Sequence, residues 1–165
     1  MTEKAIPLRP MLVAAVLVLA IGSGIGYLFG PANTGDWYRN LAKPALNPPS
    51  WLFGVVWPVL YLMIGASGGL IWSARKRMPT GRARFWYGLQ LILNFSWTPI
   101  FFGMQRVDIA LGIIVALNIA AIVATLHMGR IRALAAWLMV PYLIWIAFAA
   151  TLNFRIWQLM PGLPT

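Results

Sequence analysis

WYRNLAKPALNPPSWLFGVVWPVLY, Trp37–Tyr61, carries a polar, proline-broken loop straight into an apolar helix. Lys43-Pro44 and Pro48-Pro49 stiffen the approach, because each proline fixes φ and pushes the residue before it out of the α region. Pro49 suits the first turn of a helix, where a missing N–H costs nothing. The helix then repeats aromatic residues at Trp51, Trp57 and Tyr61, mixed with Gly54 and Pro58. A wall of flat rings beside small gaps can receive a large, flat, apolar guest. The same rings also fit a Trp/Tyr belt at the lipid headgroups, and these residues alone leave both readings open.

On either side of this stretch the 165-residue chain is 61% hydrophobic and 10% charged, against roughly 25% charged in soluble domains. This is the composition of an integral membrane protein. A bilayer span takes about 20 mainly apolar residues, and five windows supply them: 11–29, 51–72, 85–102, 109–128 and 134–157. They predict an all-α membrane protein, one domain over 1–165 folded as a five-transmembrane-helix bundle. The first window follows Lys4 and Arg9 as a signal peptide would. Its apolar run is longer than the usual signal core of about 7–15 residues, and Gly22, Gly26 and Gly30 read as a packing stripe, so it is expected to be a retained span. Gly65 and Gly69 form a second small-residue face. Either set is a candidate dimer face or a contact within the bundle.

The net charge of +10 comes from thirteen Lys/Arg against Glu3, Asp36 and Asp108. These charges lie between apolar runs, with no soluble face to present a basic stripe, which argues against a nucleic-acid partner. Five spans put Lys4, Arg9, Arg75, Lys76, Arg77, Arg82, Arg84, Arg130 and Arg132 on one side, and Arg39, Lys43, Arg106 and Arg155 on the other. The positive-inside rule then predicts a cytoplasmic N-terminus for an inner-membrane protein, with the Trp37 loop and the C-terminus outside.

Polar residues within the spans need a partner. Gln90, Asn94, Trp97 and Phe101 recur at helical spacing, so one inward-facing stripe is expected; as helix-joining groups the amides are worth about 0.6–2 kcal/mol each. Tyr142, Trp145, Ala149 and Leu152 make a second stripe, with Asn153 beside it. Pro99 removes a backbone hydrogen bond near a helix end, and neighbours must satisfy the freed carbonyl. The fourth window carries the least chemistry, with Asn118 its only strongly polar interior residue, and His127 reads as interfacial. One histidine, no cysteine and three scattered acids cannot build a paired-carboxylate site or a nucleophile triad, and suggest no metal site or required cofactor. The spans also lack the carboxylates of a proton- or cation-coupled carrier.

Three motifs, in order, resemble one family. They are WYxxLxKPxxNPPxW with FxxVWPxLY at Trp37 to Tyr61, QLxLNxxWTPIFFG at Gln90 to Gly103, and VPYLIWxxFAxTLNF at Val140 to Phe154. Together they resemble a bacterial member of the TspO/MBR family, also called translocator protein, tryptophan-rich sensory protein or peripheral-type benzodiazepine receptor. The resemblance implies a five-helix membrane bundle, commonly a homodimer, whose pocket is capped by the first loop and takes porphyrins, sterols in eukaryotic members, and flat synthetic drugs.

Carried over by motif, that pocket is lined by Trp51, Phe53, Gly54 and Trp57 from the second helix, Asn94 and Trp97 from the third, and Trp145, Ala149 and Leu152 from the fifth. Trp37 and Tyr38 match the pair that acts with Trp145 in porphyrin binding and light-dependent breakdown in bacterial relatives. The sterol segment of animal members departs here: LNFRIWQ places Phe154 where they have tyrosine and Gln158 where they have a base, so cholesterol is not expected as the ligand. The leading expectation is a tetrapyrrole receptor or sensor, with rings stacked on Trp51, Trp57, Trp97 and Trp145 and propionates reaching Arg39 or Lys43. A porphyrin-degrading enzyme using Trp37, Tyr38 and Trp145 ranks second, and a transporter of hydrophobic ligands third.

Overall fold

In a bilayer every backbone N–H and C=O must be satisfied within the chain, which long apolar runs achieve as helices. The structure is a computed structural model and describes residues 6–160. Lys4 and Glu3, counted above, lie outside the described residues. Six helices follow one another: α1 Leu8–Phe29, α2 Trp37–Asn40, α3 Ser50–Ala74, α4 Gly81–Thr98, α5 Val107–Gly129 and α6 Ala133–Gln158. The five long ones fall on the five expected windows with shifted ends. Four of them, α1, α3, α5 and α6, are long and apolar enough to cross a membrane. Helix α4 has the length, but Arg82, Arg84, Gln90 and Asn94 lower its apolar content.

The long helices close into a ring. Helix α1 packs along α3, α3 on α6, α6 on α5 and α5 on α4, while α4 returns to touch α1 and α3. Lipid tails are as apolar as leucine, so close contact rather than water exclusion holds such helices together. The α1–α3 contact shows how. A Cβ on Gly65 would fall on the backbone of Ala14 and Ala15, and one on Gly69 on Pro10 and Met11. This glycine pair is therefore used inside the chain, which removes it as a dimer face. Gly22 meets the Tyr61 ring in the same way, whereas a Cβ on Gly26 would meet nothing within 4 Å. The predicted 22/26/30 stripe is thus not one continuous contact.

Polarity is inverted relative to a soluble protein. Leu12, Val16, Val59, Ile92, Ile119 and Ile144 stand exposed on the outer faces, while Ser67, Gln90, Asn94 and Asn153 are buried. Lipid in place of water explains both.

The prolines mark the local departures. Pro58 and Pro141 sit inside α3 and α6. After α4 the chain widens into a π-turn, Pro99–Gly103, in which the Met104 N–H reaches back to the Pro99 carbonyl at 2.8 Å. Pro49 stands just before α3 with ψ 145°, at the cap rather than inside the first turn as expected. The stretch expected to be one long loop, Gly30 to Ser50, contains a short 3-10 turn, Pro31–Asn33, and the single turn of α2.

Candidate functional site

Helical geometry turns each residue by about 100°, so Phe53, Gly54, Trp57, Pro58 and Tyr61 share one face of α3. That face looks into a cavity of about 540 Å³ inside the ring. Helix α4 and the π-turn supply Asn94, Trp97, Phe101 and Phe102 to its wall; α6 supplies Trp145, Ala149 and Leu152. Gly22 and Gly26 open the α1 side, and Tyr38 and Asn47 reach it from the first loop. The Phe53 and Trp145 rings meet edge to face at 5.7 Å, and Trp97 stacks on Phe101 at 4.8 Å. Eight of the nine residues assigned to the pocket by motif are thus brought together.

Trp51 is the ninth, and the structure puts it elsewhere. It lies six residues before Trp57, about 120° away around the helix, and is 67% exposed outside the cavity wall. The belt reading suits Trp51, so the single aromatic wall expected from the sequence divides into an inner and an outer face. Of the three candidate redox residues, Tyr38 and Trp145 line the cavity. Trp37 packs edge-on against Phe101 at 5.9 Å, in a small cluster with Val107, Ala110 and Ile156.

The two cations proposed for propionates are also outside the wall. Arg39 pairs with Asp36 on the exposed side of α2. The Lys43 ammonium donates to the Arg39 and Leu41 carbonyls at 3.2 and 3.0 Å and lies 4.6 Å from the Tyr38 ring centroid. Lys43 therefore braces the loop and the ring that faces the cavity. Burial pushes the Tyr38 phenol up, with a smaller opposing effect from its hydrogen bond with Asn47. At neutral pH this residue presents an uncharged hydroxyl.

A polar network joins the helices at the cavity wall, where Asn94, Trp97 and Asn153 all stand. The Tyr142 hydroxyl donates to Gln90 Oε1 at 2.9 Å and accepts from Asn94 Nδ2 at 3.0 Å. Trp97 Nε1 donates to Asn153 Oδ1 at 3.1 Å, and Asn153 Nδ2 donates to the Val107 carbonyl at 3.0 Å. Among the described residues, three buried side-chain atoms have no protein partner: Gln90 Nε2, Asn94 Oδ1 and Trp145 Nε1. Buried polar atoms are normally satisfied; Asn94 and Trp145 both line the cavity, although these two atoms are themselves covered by neighbouring groups. Tyr142→Phe takes away both a donor and an acceptor. It is expected to cost about 1–2 kcal/mol, within the range for polar contacts between membrane helices, measured by denaturation in mixed micelles; an unchanged midpoint would show that the network contributes nothing.

Pro58 and Tyr61, part of the wall of rings and gaps read from the sequence, do line the cavity. Sequence reasoning did not assign Phe102, Asn47, Ile114 or Leu117 to the site, yet all four line it. Ile114 and Leu117 gave no signal, because α5 is apolar all round.

A family model for TspO/MBR matches residues 14–158. The chain belongs to the TspO/MBR family. It is 39% identical over 146 residues to the tryptophan-rich protein TspO of Chlorobaculum tepidum, covering 88% of this chain and 92% of that one. The TspO of Archaeoglobus fulgidus is 40% identical over 149 residues, covering 90% and 95%. The human translocator protein is 35% identical over 148 residues, covering 86% and 85%. Family membership and four long apolar helices make the chain an integral, multi-pass membrane protein.

Proposed function

We propose that this chain is a membrane receptor that binds a porphyrin or another flat, apolar ligand between its helices. The observation that carries this reading is the cavity of about 540 Å³, walled by Phe53, Trp57, Trp97 and Trp145, with Tyr38, Asn47 and Asn94 as polar members of its lining. Small-molecule pockets run to about 300–1,000 Å³, mostly apolar with a few fixed polar groups. Stacking supplies the affinity, and the polar side chains of the lining orient the guest. Relatives named tryptophan-rich sensory protein and translocator protein lend support to a sensing or moving role.

In this reading α4 is the fifth span. Gln90 and Asn94 turn inward, while Arg82 and Arg84 extend to the headgroups at its basic end. The N-terminus is cytoplasmic, the cavity opens toward the opposite side, and two copies pair through a face other than Gly65 and Gly69.

The test is a titration of detergent-held protein with protoporphyrin, followed by tryptophan quenching. Trp145→Ala is expected to weaken binding about tenfold, or 1.4 kcal/mol, with Trp51→Ala unchanged. Linear, unsaturable quenching in every variant would mean partition into detergent and remove the porphyrin reading.

A second reading, light-driven oxidative breakdown of bound porphyrin with dissolved dioxygen as the oxidant, is favoured by Tyr38 and Trp145 lining the same cavity. It requires porphyrin loss beyond one equivalent per chain under illumination. A bleach that stops at one equivalent favours the receptor.

A further inference from the structure

The end of the bundle away from the cavity carries a separate cluster. Trp72, near the close of α3, is 48% exposed. The Arg75 guanidinium carbon lies 4.3 Å from its ring centroid and that of Arg84, from the first turn of α4, lies at 4.6 Å. Two guanidinium groups on one ring are therefore within about 9 Å of each other, comparable to the Debye length of about 8–10 Å. The pair concentrates positive charge at one exposed ring, which favours an anion beside it.

No described carboxylate can serve. Asp36 and Asp108, the only acids among the described residues, lie at the other end, paired with Arg39 and Arg106. Lys76, Arg77 and Arg82 lie in the same short stretch between α3 and the start of α4 and add positive potential at this end of the bundle. Arg75 is already held in place, because its Nη1 donates to the Trp72 carbonyl at 2.8 Å. A guanidinium stacked on a ring keeps its remaining N–H groups in plane and free for a phosphate.

What lies beside the pair points to a lipid rather than a free anion. Phe85 is 65% exposed and Ile92 67% exposed. They stand seven residues apart and so on one face of α4, an apolar track running from the arginines toward the middle of the membrane.

We infer that Arg75 and Arg84, stacked on Trp72, clamp the headgroup phosphate of an anionic phospholipid whose acyl chain lies along Phe85 and Ile92. The site is separate from the ligand cavity and does not depend on what the cavity binds.

Native mass spectrometry of the delipidated full chain, titrated with dioleoylphosphatidylglycerol or dioleoylphosphatidylcholine, tests this directly. One phosphatidylglycerol is expected per chain, preferred at least tenfold over phosphatidylcholine, and retained against millimolar inorganic phosphate. Arg75→Gln with Arg84→Gln should abolish the preference, whereas Arg77→Gln with Arg82→Gln, an equal loss of charge, should keep it. Equal loss in both pairs would mean a diffuse basic field and overturn the clamp, as would an unchanged preference in the first pair. Displacement by inorganic phosphate would make it a free-anion site and overturn the lipid assignment. If the first pair loses its helical circular dichroism, Trp72→Leu, which keeps apolar bulk and removes the ring, is read in its place.

Discussion

Gly65→Val is expected to lower stability by about 3 kcal/mol, the upper part of the usual range for overpacking. The new Cβ would fall on Ala15 Cα and the Ala14 carbonyl, which are backbone atoms of α1 rather than the ends of flexible side chains. Relief requires the whole of α1 to move away from α3. That motion would also part Gly69 from Pro10 and Met11, and Gly22 from the Tyr61 ring, since all three contacts lie along the same helix pair. Gly26→Val is the matched control: it is the same substitution into open space, with an expected change within about 0.5 kcal/mol. Denaturation midpoints in mixed micelles compare the two. Equal midpoints would show that the α1–α3 contact is loose enough to accept a side chain, and the close-packing account would be wrong.

Gly54→Leu should act on the ligand and leave the fold intact. A Cβ at Gly54 meets nothing within 4 Å, and the residue lines the cavity between Phe53 and Trp57. Leucine is also the better helix former by roughly 0.5–1 kcal/mol, so stability should hold or rise. The side chain occupies space that a flat ligand would need. Protoporphyrin affinity is expected to fall about a hundredfold, close to 3 kcal/mol. Unchanged affinity in a folded Gly54→Leu protein would place the ligand outside this cavity.

These two glycines each lie in α3 among apolar neighbours. The Gly65/Gly69 spacing marked one as a packing face and the motif marked the other as a gap, but that α1 of the same chain, rather than a second copy, fills the Gly65 face appears only once the helices are in place. Trp51 and Trp57 make the same point. Both were read as pocket rings from the motif, but a separation of six residues puts them about 120° apart, and only the rotation of α3 within the ring determines which one faces inward.

The inward stripes were more legible. Gln90 and Asn94 are too polar to face lipid, so their direction was fixed by solvation cost, and Tyr142, Trp145, Ala149 and Leu152 followed by periodicity. The loop was less so. Arg39 and Lys43 looked available to an anion, whereas Asp36 and the carbonyls of Arg39 and Leu41 engage them.

By itself the sequence determined the membrane class, the approximate limits of the long apolar helices, and which residues on α4 and α6 must turn inward. Each follows from a local cost: a backbone that must be satisfied in lipid, or a polar side chain that lipid rejects. The tertiary structure decided the order of helices around the ring, the use of Gly65 and Gly69 within the chain, the contribution of Ile114 and Leu117 to the cavity wall, and the meeting of Arg75 and Arg84 on Trp72. None of these has a local cost that marks it, because each depends on how one helix is rotated and shifted against another, and contacts between residues distant in sequence set that.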